Sequence, residues 1–224
     1  MKATRAILAL LALYLLAALG ACGGQQASPT PGETGEPAGP TATASPQATA
    51  TTEVSPAPAG DTTTPSPTRG SRTYLSYESE ANAFSIDYPE EWQVSEREAM
   101  PGTATFVAPL QGAADTFREN VTVIVQSVPE GTTTLDEFTE LALSQGQEYI
   151  PQFSVRESTP TTLGGNPAQQ VVYTGLQGER ELRWLQLWTL ASEQVYILTY
   201  TAEELEFNAF RSVVQQMIRS MEIW

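Results

Sequence analysis

Cys22 is the only thiol in the chain, and it follows Leu19-Gly20-Ala21 at the end of an apolar run. A lone thiol is open to two chemistries, nucleophilic catalysis and covalent modification. Catalysis needs a partner base, and the chain has no histidine. Ser–His and Cys–His pairs are thereby excluded, as are zinc sites built from His and Cys. Gly164-Gly165 is a lone pair just ahead of Asn166-Pro167, a turn rather than a phosphate-binding loop. Asn120-Val121-Thr122 matches a glycosylation sequon but falls within a strand-like run, which argues against its use. No Asp-x-Asp-x-Asp-Gly pattern offers calcium a loop of oxygen ligands. Two Asp or Glu side chains that meet only in the fold stay open as a hydrolase pair. The acidic clusters visible in the sequence have a simpler explanation. Asp136, Glu137 and Glu140, and separately Glu203, Glu204 and Glu206, fall where helices are expected to begin. Negative charge there complements the helix dipole by about 0.3–1 kcal/mol per well-placed group. Glu90 and Glu91 follow Pro89 in a turn. No catalytic set, cofactor or metal site is expected; Cys22 is then either a stray thiol behind an ordinary cleaved leader or a site of covalent modification.

The residues ahead of Cys22 support modification. Lys2 and Arg5 precede an apolar run from about Ala6 to Leu19. Such a run suits a secretory signal and is short for a membrane span, which needs about 20 residues. Leu19-Gly20-Ala21-Cys22 resembles the lipobox of bacterial lipoproteins, in which the cysteine is acylated and becomes the new N-terminus. The resemblance implies a signal peptide over residues 1–21 and a mature chain held by lipid on Cys22. Two or more acyl chains hold firmly, since each buried methylene contributes about 0.8 kcal/mol. The expected location is the bacterial cell envelope, on the extracytoplasmic side of the membrane.

Residues 22–72 then read as the lipidated cysteine followed by a tether. From Gly23 to about Arg72 the chain is nearly all Pro, Thr, Ser, Ala, Gly, Gln and Glu, with no aromatic residue and one branched aliphatic, Val54. Such a stretch cannot bury enough apolar surface to offset the entropy of ordering its backbone. About 50 residues average roughly 40 Å end to end as a coil and reach roughly 150 Å extended. Its expected job is to hold a domain clear of the membrane.

Residues 73–224 are expected to form one domain with a single sizeable core. Strand-like runs cover residues 84–88, 92–98, 104–108, 120–128, 153–162, 168–174, 181–190 and 195–201. Gly164-Gly165, Gln177-Gly178 and Ser192-Glu193 are short connections, which imply antiparallel pairing. Thr134 with Glu137 has capping-box spacing ahead of Leu135, Phe138, Leu141 and Ala142 on one helix face. Thr201 with Glu204 repeats it ahead of a stripe of Phe210, Val213, Val214, Met217, Ile218 and Met221. Around Trp184, Trp188, Tyr196 and Tyr200 both faces of the strands carry large apolar side chains. A half-exposed strand would alternate apolar with polar. The expected fold class is therefore α+β, an antiparallel β-sheet flanked by helices on both faces.

Phe84-Ser85-Ile86-Asp87-Tyr88-Pro89 with Trp92 resembles the opening motif of PsbP-like proteins, known first as extrinsic photosystem II subunits and widespread among bacterial lipoproteins. Gly164-Gly165-Asn166-Pro167-Ala168 is similar to that family's mid-domain turn. Tyr196-Ile197-Leu198-Thr199-Tyr200, the amphipathic helix and Ser220-Met221-Glu222-Ile223 resemble its ending. These are core and turn residues, so they specify fold well and function poorly. The resemblance implies an α/β/α sandwich and an accessory role. The photosynthetic branch is associated with retaining calcium, chloride and manganese. The histidine ligands proposed there have no counterpart here, so no metal role carries over.

Charge narrows the partners. The full chain carries a formal −15; without Lys2 and Arg5, nine basic side chains face 26 acidic ones, a balance of −17. Nucleic acid and anionic headgroups repel such a chain. The expected function is a non-catalytic binding or assembly module, touching the membrane through the lipid on Cys22 and joined to an unidentified envelope protein. The alternative is a receptor for a small ligand or cation, its pocket between sheet and helix lined by Trp184, Trp188, Tyr196 and Tyr200. A carboxylate-dependent envelope hydrolase is the third reading.

Overall fold

The computed structural model describes residues 72–96, 101–132 and 134–224. Cys22, the leader and nearly all of the tether lie outside them. Ten strands and two α-helices follow one another in the described part. They are β1 (Tyr74–Ser79), β2 (Phe84–Pro89), β3 (Gln93–Glu96), β4 (Thr103–Val107), β5 (Asn120–Ser127), α1 (Leu135–Tyr149), β6 (Ser154–Leu163), β7 (Asn166–Gln177), β8 (Arg180–Ala191), β9 (Gln194–Glu203), α2 (Arg211–Ser220) and β10 (Glu222–Ile223). Two sheets result, one of three strands in the order β1-β2-β10 and one of seven in the order β3-β4-β5-β9-β8-β7-β6. Every pairing is antiparallel. The class is mixed α+β, with antiparallel sheets and two helices.

The tight connections set the register. Gly164 and Gly165 have φ of 55° and 80° and join Leu163 to its partner Asn166, as a two-residue hairpin loop requires. Gly164 also admits no side chain, because a Cβ there would stand 2.5 Å from Ile223 Cγ1 on β10. β1 and β10 are absent from the sequence reading. β1 is largely exposed and β10 is two residues long, so neither carries an apolar alternation, and both exist by pairing with β2.

Side chains of the central strands divide by parity, as a period of two demands. Leu182, Trp184 and Trp188 of β8 and Val195 and Ile197 of β9 join one buried cluster with Phe138 and Ala142 of α1. Leu185, Leu187, Tyr196, Leu198 and Tyr200 join another with Phe84 and Ile86 of β2 and Val213, Val214 and Met217 of α2. Both faces of these strands are thus filled with apolar side chains.

The capping box at α1 forms as its spacing predicts. The Glu137 amide donates to Thr134 Oγ1 at 3.2 Å and the Thr134 amide donates to Glu137 Oε2 at 3.0 Å. The second box does not form. Thr201 lies inside β9, which runs on to Glu203, and α2 starts only after Phe210, without a side-chain cap. Pairing along β8 wins: Trp184 faces Thr201 and Leu182 faces Glu203 in the ladder. Glu203, Glu204 and Glu206 therefore do not serve a helix dipole.

Candidate functional site

The four aromatic side chains expected to line a pocket are core. Trp184, Trp188, Tyr196 and Tyr200 are each 2% exposed or less. The two tryptophans belong to one cluster and the two tyrosines to the other, so they cannot face a common cavity. Each is also committed to a neighbour. Trp188 Nε1 donates to Thr139 Oγ1 on α1 at 2.9 Å, and Trp184 stacks on Tyr173 with ring centroids 5.2 Å apart. The Tyr200 hydroxyl donates to the Phe207 carbonyl at 3.0 Å, and burial pushes its pKa well up. Asn120 of the sequon is 3% exposed within β5 and out of reach of a glycosylating enzyme.

An open cavity lies elsewhere, between the β1–β2 turn and the start of β4. It measures about 500 Å³, and Tyr77, Glu78, Glu80, Asn82, Phe84, Glu96 and Gly102 are among its walls. The β1–β2 turn enters it through a 3-10 turn at Glu80–Asn82, closed by Ala83 at φ 51°. Gly102 has φ 82°, and a Cβ on it would meet the Val125 carbonyl oxygen at 2.5 Å and Asn82 Oδ1 at 3.3 Å, so glycine is required. Tyr77 forms the aromatic wall, 5.8 Å from Phe84 and 5.5 Å from Phe106 between centroids. Its hydroxyl donates to Glu96 Oε1 at 2.7 Å. Burial, and then that carboxylate, push its pKa up to about 12, so at neutral pH it is a hydrogen-bond donor and no base. Three carboxylates among the walls give the cavity an acidic character.

A second polar region forms at the end of the large sheet where β5 begins and β9 ends. Arg180 of β8 donates to Glu203 at 2.6 Å and to Thr116 at 3.1 Å, and its guanidinium lies 5.7 Å from the Phe117 ring centroid. Arg183 pairs with Glu204 at 2.9 Å and lies 5.1 Å from the Phe207 ring. The two arginines bind the 108–119 connection and the 204–210 segment to β8. A cavity of about 190 Å³ beside them is lined by Arg156, Glu181 and Glu204 among others. Among the described residues no group of three or more acidic side chains is placed to hold a metal ion. Nor is any helix long and apolar enough to cross a membrane.

Neither region was visible in the sequence. Tyr77 and Glu96 are 19 residues apart, and Arg180 and Thr116 are 64 apart. No local spacing announces such pairs; they exist because β1, β3 and β8 are brought beside other strands.

The fold and these sites define an antiparallel α+β module in which Trp184, Trp188, Tyr196 and Tyr200 belong to the core and the two cavities have polar walls. The sequence matches the family model described as PsbP-like protein over residues 62–223. The chain belongs to the PsbP-like family. None of the curated protein sequences matches it. Among solved structures it is similar to cyanobacterial PsbP (CyanoP) from Synechocystis sp. PCC 6803, at 16% identity and a TM-score of 0.49, covering 70% of this chain and 96% of that one. It is also similar to LpqN, a protein involved in cell envelope biogenesis of Mycobacterium tuberculosis, at 15% identity and a TM-score of 0.48, covering 67% and 91%.

Proposed function

We propose that this chain is a lipid-anchored, extracytoplasmic accessory module that binds or organises an envelope protein and catalyses no reaction. In this reading residues 1–21 are a signal peptide, residues 22–72 are the lipidated cysteine and tether, and residues 73–224 are the PsbP-like domain with a helix layer on each face of its sheet. The observation that carries it is the disposal of the aromatic side chains. Both buried clusters are filled by the protein's own residues, which leaves recognition to the surface. Membership of the PsbP-like family supports an accessory role, and the two clusters, one with α1 and one with α2, support the sandwich. Fold alone does not supply the partner.

The test is in-cell cross-linking and purification of the tagged full-length protein from membranes, with Cys22→Ser alongside. The wild type is expected in the membrane fraction with a defined partner, and Cys22→Ser in the soluble fraction without it. A wild type that stays membrane-bound yet repeatedly comes clean of partners sinks the accessory reading. Equal membrane retention of both forms sinks the lipid anchor.

The cavity at Tyr77 and Glu96 favours a second reading, a receptor for a small cationic ligand, with its site moved away from the aromatic residues first expected to line it. A ligand that binds only the native state raises its melting temperature by mass action. Thermal-shift screening of divalent cations and organic amines against the wild type and Glu96→Gln separates the two readings. A rise seen only in the wild type supports the receptor.

A further inference from the structure

Two irregularities of the backbone bring exposed side chains to one small cavity. The 150–153 turn is closed by the Phe153 amide, which donates to the Ile150 carbonyl at 3.2 Å, and it is held to β7 by the Leu176 amide, which donates to the Pro151 carbonyl at 2.8 Å. Its third residue, Gln152, has φ 57°. That left-handed conformation suits glycine and strains a larger residue. On β6 the ladder shifts register between Val155 and Glu157, so Arg156 has no partner on β7. A bulge of this kind re-aims the side chain of its extra residue. Gln152 and Arg156 are both exposed, and both line the cavity of about 190 Å³ at this end of the sheet. Strand register supplies the rest of the wall. Ser154 faces Thr174, Leu176 faces Glu181, and Thr174 and Leu176 are two residues apart, so these four side chains share one face. All four line the same cavity. Glu204 lines it too, but its charge is met by Arg183 at 2.9 Å. The charges left over are Arg156 and Glu181, one of each sign, on strands with β7 between them. Neither forms an ion pair among the described residues.

We propose that this cavity binds a small zwitterion, a free amino acid, with its carboxylate on Arg156 and its ammonium group on Glu181. A guanidinium offers two parallel donors that fit the two oxygens of a carboxylate. An ammonium group brings three donors, which the Glu181 carboxylate and the Ser154 and Thr174 hydroxyls can accept. Volume sets the size of the ligand. At about 30 Å³ per water, the cavity holds about six waters, room for a small amino acid and not for a peptide or a nucleotide. A ligand with one charge leaves the opposite wall unmatched, so the two charged walls select for a ligand that carries both signs. The same reading accounts for a glutamine where the turn favours glycine, and for the break in β6 at Arg156. This site shares no lining residue with the cavity at Tyr77, and it stands independently of an envelope partner.

Titration calorimetry of the full-length protein in detergent tests this, with a panel of free amino acids and with acetate and ethylamine as single-charge controls. At least one amino acid is expected to bind about tenfold or more tightly than either control, because two charge-assisted contacts replace one. Arg156→Gln and Glu181→Gln are each expected to weaken that binding by about tenfold or more. Both residues are exposed, so an unchanged melting temperature is expected and checks that the fold is kept. Gln152→Gly separates binding from folding: it relieves the left-handed strain, so the melting temperature should hold or rise while affinity falls. A panel without a binder overturns the proposal. So does binding that acetate or ethylamine reproduces, or that survives both charge-removing variants.

Discussion

Tyr77 and Glu119 show how position alone resets the proton affinity of a side chain. Tyr77 is half-shielded by the small sheet and donates to Glu96, so ionising it would place two negative charges 2.7 Å apart. Its folded pKa of about 12 stands above the usual value of 10, which makes it a source of stability that is intact below about pH 10 and disappears as pH passes about 12. Tyr77→Phe should therefore lose less stability than the wild type between about pH 9 and 12. The difference should be about 1 kcal/mol once solvent screening of a partly exposed pair is allowed for. Chemical denaturation at the two pH values measures it, and identical alkaline limbs would refute the assignment. Tyr173 and Tyr200 are also raised by burial and contribute to the alkaline loss in both proteins. Burial acts in the same direction on Glu119, holding its pKa above the usual value against a hydrogen bond that its carboxyl accepts from its own backbone.

At the scale of elements, β6 raises the question of how a long exposed edge avoids pairing with other chains. It is ten residues long and forms one edge of the seven-stranded sheet. The Gly164-Gly165 loop makes Leu163 and Asn166 a hydrogen-bonded pair, and the alternation of the ladder then turns the backbone groups of Thr162, Pro160 and Ser158 toward the open side. Pro160 has no amide to offer there, and a register shift between Val155 and Glu157 disturbs the strand near its other end. Both devices blunt an edge. Pro160→Val restores a donor and strand propensity at that point. It is expected to leave the fold intact while raising concentration-dependent self-association, read by light scattering or sedimentation. A monomeric variant at every concentration would show that the proline has no such role.

Elements also show how far local signals reach. The strand runs between Phe84 and Thr201 were legible because apolar residues recur there between turn residues, and the structure places β2 to β9 on them. The Thr134–Glu137 box was legible because both partners sit within one turn. The Thr201–Glu204 box had the same spacing and lost to cross-strand pairing, which a local pattern does not contain. β1 and β10 went unread for a related reason: they are strands only because β2 lies beside them.

Taken whole, the chain is a strongly acidic molecule. Residues 73–224 hold seven basic against 22 acidic side chains (9 − 2 and 26 − 4, the tether taking Arg69, Arg72, Glu33, Glu36, Glu53 and Asp61), so the folded domain repels itself. Raising ionic strength from about 0.01 M to 0.15 M shortens the screening length from about 30 Å to about 8 Å. The melting temperature is expected to rise over that range, and a fall would mean that ion pairs such as Arg180–Glu203 and Arg183–Glu204 outweigh the repulsion.

Composition and periodicity by themselves determined which parts of the chain have the makings of a core, that its central strands are apolar on both faces, and that no imidazole or second thiol is available for chemistry. These are properties of single residues or of residues a few positions apart, and they survive without knowledge of the fold. Tertiary structure alone decided that the two tryptophans and the two tyrosines belong to separate clusters, that Tyr77 meets Glu96, and that Glu119 lies buried among carboxylates. Each of those depends on which strands lie side by side. Pairing across tens of residues is set by the packing of the whole domain, and the burial it creates raises the pKa of Tyr77, Tyr173, Tyr200 and Glu119.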